Sequence, residues 1–107
     1  MKTAIVTGAS QGIGAGIVKR FVERGFNVVA NSRKVTKSTE VAASDQVALV
    51  DGHIGEPATA VRIVETALSR FKSIDVLVNN AGIFFTKPFT DYTAEDFKSL
   101  VALLLSR

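Results

Sequence analysis

The protein has 107 residues, a net charge of +3 at neutral pH and no cysteine. This length suffices for one domain with a modest core, and the lack of cysteine excludes disulfides, cysteine-ligated zinc and thiolate catalysis. No apolar run approaches the roughly 20 residues of a membrane span, and the basic residues form no stripe interleaved with aromatics. We therefore expect one cytoplasmic domain, residues 1–107, that binds neither a membrane nor a nucleic acid.

Segments typical of strands and of helices alternate along the chain. Short apolar runs predict strands over residues 3–7, 27–30, 47–50 and 74–78. Apolar residues at helical spacing predict helices over residues 12–24, 57–71 and 93–105. Residues 34–44 are polar and predict at most a short helix. Strict alternation predicts an α/β fold, a doubly wound parallel sheet with helices on both faces.

A glycine-rich stretch joins the first predicted strand to the first predicted helix; residues 7–14 read TGASQGIG. Gly8 permits a sharp turn off the strand, Gly12 lets the backbone approach a ligand, and Gly14 allows the helix to pack closely on the sheet. Backbone N–H groups at the start of a helix attract an anion. The stretch therefore predicts a pyrophosphate site, with a purely structural turn as the alternative on this motif alone.

A second motif, Asn79-Asn80-Ala81-Gly82, directly follows the fourth predicted strand. The two motifs lie at the carboxyl ends of neighbouring strands, where ligands bind in such sheets. With both motifs present, residues 2–105 resemble the short-chain dehydrogenase/reductase family. The resemblance implies a Rossmann-like sheet of strand order 3-2-1-4 and hydride transfer between a nicotinamide cofactor and a small-molecule carbonyl or alcohol substrate.

The same resemblance assigns cofactor-binding roles to residues of both motifs. Those that would line the diphosphate and the adenosine ribose are Gly8, Ser10, Gln11, Gly12, Ile13 and Gly14. Those that would contact the nicotinamide-side ribose are Asn80, Ala81 and Gly82. Asn79 is expected to act as a scaffold residue that ties neighbouring strands together.

The end of the second strand decides between NAD and NADP, because a carboxylate there repels a 2′-phosphate whereas an arginine accommodates it. NAD-preferring relatives carry an acid where this chain has Ser32, and Arg33 and Lys34 follow. Arg33 can present a fork to the phosphate, and Lys34 adds a point charge. We therefore predict NADP over NAD; the alternative is that both cations are a solvated loop face.

The adenine side departs from the family pattern of an acid followed by an aliphatic residue. By spacing from Pro57, that pair is His53-Ile54 here. A neutral nitrogen of His53 can still hydrogen-bond adenine, and Asp51 points the same way if the third strand continues past it. A surface histidine is an equal alternative. His53 is the only histidine, so no histidine-based metal site is expected.

The catalytic groups that the resemblance implies, a Ser and a Tyr-x-x-x-Lys pair, are not found in this sequence. Tyr92 is the only tyrosine, and the fourth residue after it is Asp96. Leu104 stands near the position of the family's helper Asn. We therefore expect the cofactor-binding half of an enzyme, truncated before its catalytic half, inactive alone and associating into homo-oligomers. The alternatives are a non-catalytic dinucleotide-binding module and an interaction fragment that pairs through an exposed strand edge.

Overall fold

The computed structural model describes residues 1–80. Its elements, in chain order, are β1 (Thr3–Thr7), α1 (Gly12–Glu23), β2 (Asn27–Ser32), a 3-10 turn (Val35–Lys37), β3 (Val47–Asp51), α2 (Pro57–Thr66), a π-helical turn (Ala67–Phe71) and β4 (Val76–Asn79). Neither α1 nor α2, the α-helices of this part of the chain, is long and apolar enough to cross a membrane. The helix expected over residues 93–105, and the assignments to Ala81, Gly82, Tyr92 and Leu104, lie outside the described residues.

The four strands form one parallel sheet of order β3-β2-β1-β4. Ile5 of β1 lies opposite Val29 of β2 on one side and Leu77 of β4 on the other. The chain thus moves outward from β1 to β3 and then returns to the opposite side of β1. This order, which confirms the predicted fold class, places the reversal point between β1 and β4.

Side chains of the strands alternate between two apolar clusters, one on each face of the sheet. The first cluster joins Ile5, Val29 and Leu77 to Ile63 of α2. The second joins alternate strand residues to α1 and to the β2–β3 connection; its fully or nearly fully buried members are Val6, Ala9, Ala15, Val18, Val28, Ala30, Val35, Val41 and Val47. Each fully buried aliphatic side chain contributes about 1.5–3 kcal/mol, so helices are held on both faces as predicted.

Element boundaries differ from the predicted ones at three strands and at both α-helices. β3 runs one residue further, to Asp51, and α1 ends one residue earlier, at Glu23. Residues 67–71 of the second predicted helix form the π-helical turn. β2 runs two residues further, to Ser32, because Ser32 pairs with Asp51 of β3.

β4 begins at Val76 rather than at residue 74. Just before it, the Asp75 carboxylate accepts a hydrogen bond from Thr3 N at 2.8 Å, and Asp75 N donates to Thr3 O at 2.9 Å. These two hydrogen bonds with Asp75 use the backbone of Thr3, so the regular pairing of β1 with β4 starts one residue later, at Ala4 and Val76.

The apolar run of β4 is less buried than its sequence predicts. Leu77 is 1% exposed, whereas Val76 and Val78 are half-buried. Within residues 1–80, β4 pairs with β1 alone. An outer position in the sheet explains the exposure of Val76 and Val78, which a central strand would bury.

Candidate functional site

The glycine-rich turn connects β1 to α1 with two residues in the left-handed region. Gly8 has φ of 61° and Gly12 has φ of 59°. Other residues adopt this conformation at a cost of roughly 1–2 kcal/mol, which explains glycine at both positions. Ala9 N donates to Asn31 O at 3.0 Å and so ties the turn to β2.

Gly14 is the point of closest approach within the turn. A Cβ built there would overlap the carbonyl oxygen of Gly8 and lie 2.8 Å from Asn80 Nδ2. The Asn80 side chain donates to Gly8 O at 3.0 Å, so the residue after β4 holds the turn after β1. Gly14 is therefore needed for packing on the turn itself, and the close helix–sheet packing predicted for it stays a prediction.

Asn79 joins the two strands that carry the motifs. Its Oδ1 accepts a hydrogen bond from Thr7 Oγ1 at 2.6 Å. Thr7 is fully buried and pairs with Asn79 in the β1–β4 register. This is the scaffold role predicted from the sequence, and it keeps the carboxyl ends of β1 and β4 side by side.

A strap formed by residues 38–41 crosses the glycine-rich turn. The Ser38 hydroxyl donates to Ser10 O and accepts from Glu40 N at 3.0 Å and Val41 N at 3.2 Å. Glu40 Oε2 then accepts from Gly12 N at 3.1 Å. A carboxylate oxygen thus lies at the N-terminus of α1, where the helix dipole favours an anion. No sequence signal predicts the Glu40–Gly12 contact, because it joins residues 28 apart through an irregular segment.

A cavity of about 280 Å³ opens beside the turn, at the carboxyl ends of the strands. It is lined by Gly8, Asn31, Ser32, Arg33, Gly52, His53 and Ile54. The cavity therefore brings together Gly8 with the predicted residues that follow β2 and β3. Asn31, which the sequence analysis did not single out, is buried and donates from Nδ2 to Val50 O at 2.8 Å and to Gly52 O at 3.1 Å. It holds the wall between β2 and β3.

Polar groups at this cavity are left without partners. The Ser32 hydroxyl is buried and has no hydrogen-bond partner among residues 1–80. The Arg33 side chain is exposed at the rim, and none of the hydrogen bonds described for this part of the chain uses it. Lys34 is also exposed but does not line the cavity. An unpaired buried hydroxyl beside a free guanidinium is a setting suited to an anionic, oxygen-rich ligand.

His53 lies at the cavity with one ring nitrogen already engaged. Its Nδ1 accepts a hydrogen bond from Gly55 N at 3.0 Å. In the neutral ring, Nε2 then carries the proton and is a donor. Ile54 lies beside it and packs partly against the core. Within residues 1–80, no three His, Asp or Glu side chains are grouped so as to hold a metal ion.

Asp51 does not line the cavity with His53, because the condition for its pointing the same way, a third strand that continues past it, is not met. β3 ends at Asp51, and Gly52 has φ of 141°, which breaks the alternation that such a continuation needs. The Asp51 carboxylate instead accepts from Thr36 N at 2.9 Å and from Thr36 Oγ1 at 2.5 Å. The hydrogen bond from the Thr36 hydroxyl has the larger effect and that from Thr36 N the smaller, and both lower the pKa of Asp51 below its ordinary value.

The remaining predicted residues lie on the outer rim of the turn. Ser10 is half-buried, with its carbonyl bound by Ser38. Gln11 is exposed, and its side chain does not cap α1. Ile13 is 76% exposed and lines a separate groove along α1 rather than this cavity. Ser10, Gln11 and Ile13 therefore surround the N-terminus of α1 without filling it.

Comparison with known proteins places this geometry among dehydrogenases. The profile of the family described as short chain dehydrogenase matches residues 2–106. The NADP-dependent (R)-specific alcohol dehydrogenase of Lentilactobacillus kefiri is 33% identical over 108 residues, covering 97% of this chain and 43% of that protein. The glucose 1-dehydrogenase of Gluconobacter oxydans is 34% identical over 108 residues, covering 95% and 41%.

Solved structures give the same picture of the fold. A carbonyl reductase from Pseudomonas aeruginosa in complex with NADP matches with a TM-score of 0.70 and 29% identity. The match covers 100% of this chain and 54% of that one. The chain thus spans about half the length of this reductase and about two fifths of the two curated relatives.

Proposed function

The chain belongs to the short chain dehydrogenase family, and from that premise we propose that its residues 1–80 hold the adenosine and diphosphate part of NADP. The observation that carries the proposal is the cavity where Gly8 meets the unpartnered Ser32 hydroxyl and the free Arg33 side chain. Through Gly8, the cavity meets the glycine-rich turn that leads into α1. A dinucleotide needs both features together, a pocket for the nucleoside and a helix start for the pyrophosphate.

The diphosphate is proposed to lie on the backbone of the glycine-rich turn. Gly12 N already donates to a carboxylate oxygen of Glu40, which stands in for a phosphate oxygen at 3.1 Å. The absence of side chains at Gly8 and Gly12 leaves the backbone open to such an oxygen. Binding would displace Glu40, since two anions repel each other at one donor.

The 2′-phosphate of the cofactor is proposed to lie between Ser32 and Arg33. Leaving the Ser32 hydroxyl without a partner costs about 1–3 kcal/mol, and a phosphate oxygen would satisfy it. The Arg33 guanidinium offers parallel donors to the same group. None of the residues that line the cavity carries a carboxylate, which supports NADP over NAD. Lys34, outside the cavity, would contribute only through its charge.

The adenine ring is proposed to lie between His53 and Ile54. His53 Nε2 is a donor in the neutral ring, so it would donate to a ring nitrogen of adenine rather than accept from the amino group. Ile54 offers an apolar face for stacking of the base. His53 would thereby bind adenine at the position where the family pattern has an acid that accepts a hydrogen bond from the adenine amino group.

The whole protein is proposed to be an NADP-dependent oxidoreductase acting on a carbonyl or alcohol substrate. NADP, when bound, would carry the hydride. Asn80 is proposed to face the nicotinamide-side ribose together with Ala81 and Gly82, which lie outside the described residues. Support comes from the match to the family and from the NADP named for the relative in L. kefiri.

A binding module without turnover is the second candidate function. It would use the same cavity and the same Gly12 N–H to hold the dinucleotide, without the hydride step. Oxidation of NADPH by the whole protein, in the presence of a panel of aldehydes and ketones, separates the two candidates. Turnover supports the oxidoreductase, and saturable NADPH binding without turnover supports the module.

Dissociation constants for NADPH and NADH, measured on the wild type and on Arg33→Ala, test the cofactor. We expect the wild type to prefer NADPH, and Arg33→Ala to weaken NADPH binding roughly tenfold to a hundredfold, the value of a charged hydrogen-bond pair. NADH binding should stay unchanged. Arg24→Ala, which removes an exposed arginine from the end of α1, is the matched control and should alter neither constant. An equal loss for both cofactors in Arg33→Ala would contradict the assignment.

A further inference from the structure

We propose that Asp51 is a positioning residue that holds the loop bearing Arg33 and Lys34, and that it thereby sets the selectivity for a 2′-phosphorylated nucleotide. The inference rests on the proposed function, since it concerns the same cavity. Asp51 itself does not line that cavity. It acts through the residues that it fixes.

Asp51 is tied to both ends of this loop. On one side, Ser32 lies opposite Asp51 in the β2–β3 register, and Gly52 N donates to Ser32 O at 3.0 Å. On the other side, the Asp51 carboxylate receives both the backbone N–H and the hydroxyl of Thr36, at 2.9 Å and 2.5 Å. The three residues 33–35 therefore bridge two points that are both attached to the end of β3, one through Gly52 N and the other through the Asp51 carboxylate.

Further contacts hold this arrangement of Asp51, Ser32 and Thr36, called the clamp below, in place. Arg62 Nη2 donates to the carbonyl oxygen of Asp51 at 2.6 Å, which fixes the end of β3 against α2. Val35, at the end of the bridged segment, is fully buried in the second apolar cluster. Lys37 N donates to Lys34 O at 3.0 Å and closes the 3-10 turn. The backbone at Arg33 is thus set before any ligand arrives, which lowers the entropy lost on binding.

The two possible effects of Asp51 on a bound phosphate have opposite signs. As a nearby negative charge, Asp51 would repel the phosphate, so that its removal would strengthen binding. As a clamp, Asp51 orients the Arg33 guanidinium, so that its removal would weaken binding of the 2′-phosphate and leave the contacts with the diphosphate unchanged. The sign of the change in Asp51→Asn therefore separates the clamp from simple electrostatics.

Adenosine 2′,5′-bisphosphate and adenosine 5′-monophosphate differ by the phosphate in question and serve as probes. We expect Asp51→Asn in the full chain to reduce the preference for the bisphosphate roughly fivefold to tenfold, about the net value of one ordinary hydrogen bond. The dissociation constant of the monophosphate should change less than about twofold. Asp45→Asn removes the same charge from an exposed loop residue and should leave the preference intact.

Variants of Thr36, the hydrogen-bond donor to Asp51, test the same clamp. They remain informative if Asp51→Asn does not fold. Thr36→Val removes the hydroxyl donor and should lower the bisphosphate preference, whereas Thr36→Ser keeps it and should retain the wild-type value. A preference that is unchanged or increased in Asp51→Asn or in Thr36→Val overturns the clamp.

The failure of the clamp and the failure of the proposed cofactor give different results. A wild type that prefers the bisphosphate, with Asp51→Asn equal to it, overturns the clamp alone. A wild type without any preference overturns the NADP assignment and the clamp together. Equal weakening of both probes by Asp51→Asn shows a purely structural residue and also overturns the clamp.

Discussion

The carboxylate of Glu40 accepts from Gly12 N at 3.1 Å, on the backbone group that a cofactor phosphate is proposed to use. This hydrogen bond is intramolecular, and any bound diphosphate competes with it. Under the proposed placement, cofactor affinity is expected to reflect the strength of this internal hydrogen bond as well as the strength of those that the cofactor itself forms. Because the diphosphate is common to both cofactors, Glu40 should influence NADPH and NADH alike, unlike Arg33.

Glu40→Gln should tighten the binding of NADPH and NADH by a similar factor, roughly threefold to tenfold, since a neutral acceptor competes less with an anion at a helix start. Calorimetric titration of both cofactors measures this effect. Glu23→Gln changes an exposed glutamate at the opposite end of α1 and should have little effect. Unchanged or weaker binding in Glu40→Gln would mean that the phosphate does not displace this carboxylate.

How far individual residues could be predicted depended on the local rule behind each one. Spacing from Pro57 placed His53 and Ile54 at the cavity, and the end of β2 placed Ser32 and Arg33 there. The direction of Asp51 depended on whether β3 continues past it, and the φ of 141° at Gly52, where the strand has ended, could not be predicted from the sequence. The lack of a partner for the Ser32 hydroxyl depends on the tertiary structure, so no local sequence pattern predicts it.

At the scale of elements, apolar periodicity was sufficient for every strand and both α-helices of residues 1–80. The connection from β2 to β3 was not predictable in the same way. Its polar sequence indicated at most a short helix, whereas it forms the 3-10 turn at Val35–Lys37 and then the strap of residues 38–41. Contacts between distant irregular segments, such as that of Ser38 with Ser10, leave no periodic trace in a sequence.

Two glycines of α1 should respond in opposite ways to the same substitution. Gly14→Ala should destabilise the protein by about 1–3 kcal/mol, because the new methyl group would overlap the Gly8 carbonyl. Gly16→Ala should stabilise it by up to about 1 kcal/mol. The added methyl group would meet no atom within 4 Å outside the neighbouring helix backbone, and alanine favours the helix. Chemical denaturation measures both, and equal effects would contradict the close approach of α1 to the turn.

At the scale of the whole molecule, the parallel sheet explains why residues distant in sequence share one site. Strand order β3-β2-β1-β4 sends the carboxyl ends of all four strands to one edge, where both motifs meet. A larger groove of about 490 Å³ runs along α1 and includes Ile17, Phe21 and Phe26. Apart from Arg20 and Arg24, its lining is apolar or glycine, and it has none of the unpaired buried hydroxyls found among residues 1–80. Chemistry, rather than size, favours the cavity at the sheet edge.

The location of the cofactor is the central claim, and amide chemical-shift mapping of the full chain titrated with NADP tests it most directly. The predicted result is saturable shifts that, among the amides of residues 1–80, are confined to five segments, residues 8–14, 32–34, 38–41, 52–54 and 79–80, with the Gly12 amide moving as Glu40 is displaced. Shifts confined to the α1 groove around Ile17 and Phe21, or no shifts at all, would contradict it.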